Sequence, residues 1–284
     1  MAHPDAPLLS RLEGIEINPV FVIGQHRSGT TILYKILAET NHFNITSVFH
    51  ILNRHRLLYL HENGQEEAAR GELRQKFEAL GLKDREFDSI KISDQTPEEY
   101  AYALPHQGRK PRLNWENLDA FQTFCRKVQF TQNPRRPLLL KNPFDAANFL
   151  FIARAFPTAR FVFIHRDPVH VVNSQMKAIR SLLVSKNEYV ALVVRRYRRL
   201  WEGQRRIAWA RWLLSDRWPF LFQQVANEVC SINRYFVKHA PDLPENRYVS
   251  LTYPELCRRP GAVVGQVLDF LEVPRPDMDF DEQI

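Results

Sequence analysis

The segment Phe21-Val22-Ile23-Gly24-Gln25-His26-Arg27-Ser28-Gly29-Thr30-Thr31-Ile32-Leu33 decides the fold of this chain. It opens with an apolar run typical of a β-strand and continues through a loop bounded by Gly24 and Gly29. The apolar residues after Thr31 then fall on one helical face. A strand, a tight loop and a helix start present backbone N–H groups and the positive helix end to an anion. The segment therefore predicts a phosphate-binding loop.

The loop differs from the Walker A motif at one position. Gly24 and Gly29 have the glycine spacing of that motif, but Thr30 occupies the position of its lysine. Without that lysine, the loop is poorly equipped to reach a β/γ-phosphate pair. It can still hold one 5′-phosphate, with Arg27 beside it to neutralise a second anionic group.

Strand-like and helix-like patterns alternate along the rest of the chain. The predicted strands are 20–23, 43–46, 138–141, 161–164 and 248–251. This alternation predicts an α/β fold, in which a central parallel sheet is flanked by helices as in the P-loop NTPases. No strong strand occurs between about 48 and 132, so we expect a helical insertion there that roofs an acceptor pocket. We expect residues 1–284 to form a single domain.

Three further stretches give helix predictions. Asp167 and Pro168 have the N-cap and N1 pattern of a helix start, and Asp145 is predicted to cap a helix over 146–156. Residues 186–214 are predicted to form one long helix or two, with arginines interleaved with aromatic residues. Such a stripe can bind nucleic acid or a membrane surface. We favour the alternative, an amphipathic helix with a solvated arginine face and its aromatic residues in the core.

Several polar groups follow predicted strands and are expected at one edge of the sheet. The loop at 24–31, Lys141 and Arg166 each come directly after a strand. Ligands of parallel α/β sheets bind at the carboxyl ends of the strands, which predicts a single site. Ser174 lies eight residues after Arg166, about two turns into the helix that begins at Pro168. Both side chains can therefore contact one phosphate beside that helix.

These motifs resemble those of sulfotransferases that use 3′-phosphoadenosine 5′-phosphosulfate (PAPS). Arg27-Ser28-Gly29-Thr30-Thr31 resembles their 5′-phosphosulfate loop, and the spacing of Arg166 and Ser174 resembles their 3′-phosphate site. The resemblance covers roughly residues 20–46, 138–176 and 247–274. The glycine-rich C-terminal phosphate loop of the cytosolic members is absent. We therefore expect other residues to cover the 3′-phosphoadenosine.

The resemblance implies a function and a set of site residues. The implied reaction moves the sulfuryl group of PAPS to a hydroxyl acceptor, leaves PAP as product and requires no metal. Arg27 and Lys141 are expected to stabilise the sulfuryl group and the oxygen left on PAP. The expected cofactor-binding residues are Arg27, Ser28, Gly29, Thr30, Thr31, Arg166, Ser174 and, against the adenine, Tyr253.

A base must also take the proton of the acceptor hydroxyl. His50 is the first choice, because it follows the second predicted strand and histidine titrates near neutral pH. Glu98 and Glu99 are alternatives, since a carboxylate is the base in other sulfotransferases. The sequence leaves this choice open. It also leaves open whether the acceptor is a small molecule, a glycan, a lipid or a peptide, although aromatic residues in the insertion favour an apolar body.

Composition bounds the remaining possibilities. The net charge of +7 comes from 29 arginines and 10 lysines against 32 acidic residues, which suits anionic ligands. Cys125, Cys230 and Cys257 are isolated, so neither a disulfide framework nor a zinc site is indicated. Residues 1–18 have no signal-type apolar core, and no run approaches the length of a membrane span. We expect a cytoplasmic bacterial protein.

Two other functions are consistent with parts of the sequence. A P-loop kinase that uses ATP would explain the loop, but the missing lysine argues against it. A nucleic-acid-binding protein built on the arginine-rich stretch predicts DNA or RNA binding that weakens steeply with salt. Sulfuryl transfer without nucleic-acid binding is the interpretation that we favour. The sequence indicates no oligomeric state.

Overall fold

The structure, a computed structural model, describes residues 3–84, 91–105, 110–215 and 219–280. It contains one five-stranded sheet in the order β2-β3-β1-β4-β5, and every neighbouring pair is parallel. The strands are β1 Pro19–Ile23, β2 Asn44–Ile45, β3 Leu138–Lys141, β4 Arg160–His165 and β5 Tyr248–Thr252. The predicted α/β fold with a central parallel sheet is confirmed.

The central strands are buried on both faces because helices cover both sides of the sheet. Every residue of β1 and β3 is buried, which explains why their sequences are continuous apolar runs. Successive residues point to opposite faces. Phe21 packs in the layer that contains the helical insertion, whereas Val20 and Val22 pack in the layer formed with Leu33 and Val264.

Thirteen α-helices surround the sheet within the described residues. They are α1 Thr30–Glu39, α2 Val48–Asn53, α3 Leu57–Glu62, α4 Glu66–Ala79, α5 Leu118–Phe130, α6 Phe149–Ala155, α7 Pro168–Val184, α8 Glu188–Val193, α9 Arg195–Trp201, α10 Gln204–Leu213, α11 Phe220–His239, α12 Tyr253–Arg258 and α13 Pro260–Phe270. Helices α2 to α5 form the predicted insertion between β2 and β3. Asp167 caps α7 as predicted, accepting hydrogen bonds from the N–H groups of Val169 and His170. None of these helices is both long and apolar enough to cross a bilayer.

The stretch 186–214 differs from its prediction. It forms three helices, α8 to α10, because Val194 and Gly203 adopt extended backbone conformations between them. Its aromatic residues do not all enter the core. Trp209 and Trp212 are 63% and 49% exposed, while Ile207 of the same helix is buried. The predicted placement of these two tryptophans in the core was therefore wrong.

Asp145 does not cap a helix. It ends a short 3-10 turn, Pro143–Asp145, and Asn148 is the N-cap residue of α6. The carboxylate of Asp145 is fully buried, and burial raises the pKa of Asp145. It accepts four hydrogen bonds, at 2.6 to 3.1 Å, from the Tyr100 hydroxyl, the Leu113 N–H and the side-chain amides of Asn142 and Asn148. Asp145 thus joins the insertion to the segment that follows β3.

Replacing this carboxylate tests its role as a structural hub. Asp145→Ala leaves several buried donors without an acceptor, so we expect the free energy of unfolding to fall by about 3 kcal/mol or more. Asp119→Ala is the matched control, because Asp119 is exposed on the first turn of α5. We expect the control to change stability by about 0.5 kcal/mol at most. Urea denaturation measures both, and equal effects would contradict the assignment.

Candidate active site

A cleft of about 1330 Å³ opens at the carboxyl edge of the sheet. One part is polar and includes Arg27, Thr30, Thr31 and Arg166. The other part is largely apolar and is formed by Tyr102, Phe144, Ile179, Leu182 and Val190. The volume exceeds that of a usual small-ligand pocket and leaves room for two ligands side by side.

The loop after β1 forms the base of the polar part. Arg27 and Gly29 both have positive φ, 70° and 99°, and Gly29 is the N-cap residue of α1. A Cβ atom on Gly29 would lie 2.3 Å from Cδ2 of Tyr253, so only glycine fits there. The first turn of a helix has N–H groups without intrahelical partners. Gly29, Thr30 and Thr31 line the cleft and bring that turn to it.

Ser28 has a different role from its neighbours in the loop. It is buried, and both its N–H and its hydroxyl donate to the carbonyl oxygen of Gln25, at 3.1 and 2.7 Å. These bonds close the turn that precedes Gly29. Ser28 therefore shapes the loop, whereas the sequence prediction placed its N–H against a ligand.

Arg27, Arg166, Ser174 and Tyr253 meet beside the loop. Nε of Arg27 donates to the Ser174 hydroxyl at 3.0 Å, and Nη1 of Arg166 donates to the Arg27 carbonyl oxygen at 3.1 Å. The Arg166 guanidinium lies over the Tyr253 ring, 4.6 Å from its centroid. Residues that follow β1, β4 and β5 thus form one cationic group, and all four are partly exposed.

Lys141 lies behind the loop rather than in the open cleft. Its side chain is fully buried at the end of β3. Its Nζ lies 2.9 Å from the Thr31 hydroxyl oxygen and 3.1 Å from a carboxylate oxygen of Glu99. Glu99 lines the cleft, so the pair links the first turn of α1 to the wall of the insertion. A buried ammonium of this kind requires such partners.

The structure does not bring Glu98 and His50 to the cleft wall. Glu98 is fully buried, and its carboxylate accepts hydrogen bonds from the Glu99 N–H and the Tyr189 hydroxyl. Nδ1 of His50 lies 3.1 Å from the Ser47 backbone nitrogen in a capping box at the start of α2. Burial, together with Arg70, lowers the pKa of His50 to about 3. His50 is thus a structural cap, and we do not retain it as the base.

His26 is a residue at the cleft that the sequence interpretation passed over. It lines the cleft, and its ring contacts Phe144 edge-to-face at 4.6 Å. Burial lowers its pKa, and Lys141 lowers it further, while Glu99 raises it. Its position inside the loop, next to Arg27, is the sequence feature that could have identified His26 as a cleft residue.

The comparisons with known proteins show which family the chain resembles. A model described as "Sulfotransferase family" matches residues 19–277. The chain is 25% identical over 191 residues to the omega-hydroxy-beta-dihydromenaquinone-9 sulfotransferases Stf3 of Mycobacterium bovis and Mycobacterium tuberculosis. That alignment covers 58% of this chain and 46% of each relative, so the chain spans about half the length of the curated relatives it matches.

Two crystal structures of mycobacterial sulfotransferases share the fold. STF9 from Mycobacterium avium superposes with a TM-score of 0.66 at 14% identity, covering 98% of this chain and 69% of that one. STF1 from Mycobacterium tuberculosis H37Rv gives a TM-score of 0.58 at 15% identity, covering 97% and 72%. At these identities the likeness supports the fold alone.

The Gly29 position generates a test of the loop. In Gly29→Ala the new methyl group meets Tyr253 and the residue keeps a left-handed φ, so we expect unfolding free energy to fall by about 2 kcal/mol. Gly261→Ala is the control, because its added methyl group has no heavy atom within 4 Å beyond its chain neighbours and helix backbone. We expect this control to raise the free energy of unfolding by up to about 1 kcal/mol. Thermal or urea denaturation measures both. A neutral Gly29→Ala would show that the loop does not need its present conformation.

Proposed function

The chain belongs to the sulfotransferase family, and on that premise we propose that it transfers the sulfuryl group of PAPS to a hydroxyl acceptor bound in the same cleft. Family membership favours this reaction over phosphoryl transfer from ATP. The proposal stands on one observation above all. The two groups of residues predicted to hold the 5′- and 3′-phosphates, which lie far apart in sequence, share hydrogen bonds at one edge of the sheet.

The residues present fit a nucleotide with two separate phosphates. The first turn of α1 offers N–H groups and the hydroxyls of Thr30 and Thr31 to the 5′-phosphate. Arg166 and Ser174 face the place of the 3′-phosphate. The Arg27–Ser174 bond would open or be shared when that phosphate binds. The Arg166 guanidinium covers one face of the Tyr253 ring, so an adenine would pack against the part of the ring that this guanidinium leaves uncovered.

The chemistry requires charge stabilisation and one proton acceptor. PAPS supplies the sulfuryl group, whose S–O bond to the 5′-phosphate breaks as a new S–O bond to the acceptor oxygen forms. Arg27 neutralises charge on the transferring group from the loop side. Lys141 acts from behind the loop, because its ammonium orients the Thr31 hydroxyl and adds positive charge at the helix start.

We assign the base to Glu99. Its carboxylate is at the cleft wall and within 3.1 Å of the Lys141 ammonium, next to the first turn of α1. The proton lost by the acceptor hydroxyl would move to this carboxylate as the new bond forms. Pairing with Lys141 places a positive charge beside this carboxylate.

The apolar part of the cleft indicates the class of acceptor. Ile179, Leu182 and Val190 are joined there by Phe144 and Tyr102. Such a wall suits an alcohol with a large apolar body. The Stf3 relatives are named for a hydroxylated menaquinone, which supports a hydroxylated lipid as the acceptor of this chain as well. The cytoplasmic, bacterial setting stays a prediction.

Calorimetry with PAP tests the donor site. We expect Arg166→Ala to weaken PAP binding by about 2 kcal/mol, or about thirtyfold, because a charged phosphate contact is lost. AMP lacks the 3′-phosphate, so Arg166→Ala should weaken its binding less than that of PAP, through the lost bond to the Arg27 carbonyl oxygen alone. Arg160→Ala is the matched control at the start of β4, because the Arg160 guanidinium donates hydrogen bonds to the Phe270 carbonyl oxygen and the Glu272 carboxylate. Equal loss for PAP and AMP, or Mg²⁺-dependent turnover of ATP, would contradict the proposal.

Removing the carboxylate of Glu99 tests the base. With PAPS and a long-chain isoprenoid alcohol, we expect Glu99→Gln to lower kcat about a hundredfold or more. His26→Asn should lower it less than about tenfold. PAP affinity and melting temperature are measured in parallel, because Glu99 also contacts a buried lysine. If His26→Asn abolishes the pH dependence of kcat while Glu99→Gln keeps it, the base is His26 instead.

A further inference from the structure

The outer surface of helices α9 to α11 combines exposed aromatic side chains with exposed arginines. We call the surface formed by Arg199, Arg205, Trp209 and Trp212 of α9 and α10 the basic-aromatic face. Phe220 and Phe222 are 53% and 54% exposed, comparable with the two tryptophans. Residues 195–213 contain seven arginines and one acidic residue, Glu202, which lies 3.8 Å from Arg198.

Helical spacing places several of these side chains on one side of α10. Arg205, Trp209 and Trp212 are separated by four and three residues and are all exposed, whereas Ile207 is buried on the other side. Arg211 donates to the carbonyl oxygens of Leu183 and Val184 at the end of α7. Val184 at the end of α7 is itself 75% exposed.

Helices α7 and α8, which pack against α10 and α9, form a wall of the cleft. Ile179 and Leu182 of α7 and Val190 of α8 line the cleft. The Tyr197 hydroxyl of α9 donates to the Leu182 carbonyl oxygen at 2.9 Å. The apolar cleft wall and the basic-aromatic face are therefore two sides of one packed helical unit.

We propose that the basic-aromatic face docks this enzyme on the surface of an anionic lipid bilayer. Tryptophan and phenylalanine are favoured at the level of the lipid headgroups. Arginines beside them attract anionic lipids, and the two effects together give reversible binding without a membrane span. Docking would hold the helical unit that carries the apolar cleft wall at the bilayer, which is the source of a lipid alcohol. That last step rests on the proposed function, but the docking does not.

A single-stranded nucleic acid is the main competing partner, because it also uses arginines and aromatic rings. The bilayer is favoured for two reasons. Val184 of α7 and the two phenylalanines of α11 expose further apolar area, which phosphates and sugars do not reward. The face is also joined to an apolar cleft wall rather than to a charged groove.

Vesicle sedimentation with the full chain tests the proposal. Wild type should bind phosphatidylcholine vesicles that contain about 30% phosphatidylglycerol, and binding should weaken as salt rises from about 50 to 300 mM. Trp209→Ala with Trp212→Ala should lower the partition constant about tenfold or more. Trp115→Ala is the aromatic control, because Trp115 is 70% exposed elsewhere and contacts Phe151.

A second pair of variants tests the charge. The double variant Arg199→Gln with Arg205→Gln should bind anionic vesicles more weakly than wild type. The control is Arg135→Gln with Arg136→Gln, which removes the same charge just before β3, at the amino-terminal edge of the sheet. This control should bind the vesicles as wild type does. Absence of vesicle binding, or equal losses in test and control variants, would overturn the proposal. So would tight binding of single-stranded DNA or RNA that the face variants abolish and vesicles do not compete. PAP affinity of the same proteins reports separately on the donor site.

Discussion

The hydrogen bond from Arg166 to the Arg27 carbonyl oxygen is the interaction on which the site depends. It ties the end of β4 to the loop after β1, and the stacking of Arg166 on Tyr253 adds the end of β5. Adjacent parallel strands end at the same edge of a sheet, so loops that are distant in sequence meet there. The left-handed backbone at Arg27 directs its carbonyl oxygen to Arg166 while its guanidinium reaches Ser174.

The position of Lys141 explains how the loop functions without the Walker A lysine. Thr30 stands where that lysine would be, and the cation is supplied instead from the neighbouring strand β3. It contacts Thr31 from behind, inside the protein, and is balanced by Glu99. A buried, paired ammonium is held in one geometry by its partners.

Local sequence patterns predicted the parts of the structure that depend on local physics. The start of α1 after the loop and the cap at Asp167 follow from residue spacing and from the geometry of a helix start. The parallel sheet follows from its continuous apolar runs. The meeting of Arg27 and Arg166 was expected from their positions after strands, because topology then places them at one edge. Ser174 was expected there from its spacing along the helix that follows Arg166.

Other features depend on partners that sequence patterns do not show. Asp145 resembled a helix cap, but its partners Tyr100 and Leu113 lie more than 30 residues away. His50 was predicted as a base because it follows a strand, but its buried Nδ1 accepts a hydrogen bond from the Ser47 backbone N–H. The exposure of Trp209 depends on what packs against α10. Composition alone favours burying a tryptophan, and only the arrangement of α7 to α11 leaves it on the surface.

A crystal structure of the PAP complex is the most direct test of this account. It predicts the 5′-phosphate at the first turn of α1, beside Thr30 and Thr31. It also predicts the 3′-phosphate within hydrogen-bond distance of Arg166 and Ser174, with the Arg27–Ser174 bond rearranged. A PAP molecule bound with its 3′-phosphate away from both residues, or bound outside the cleft, would contradict the central claim that one sheet edge holds two anion sites.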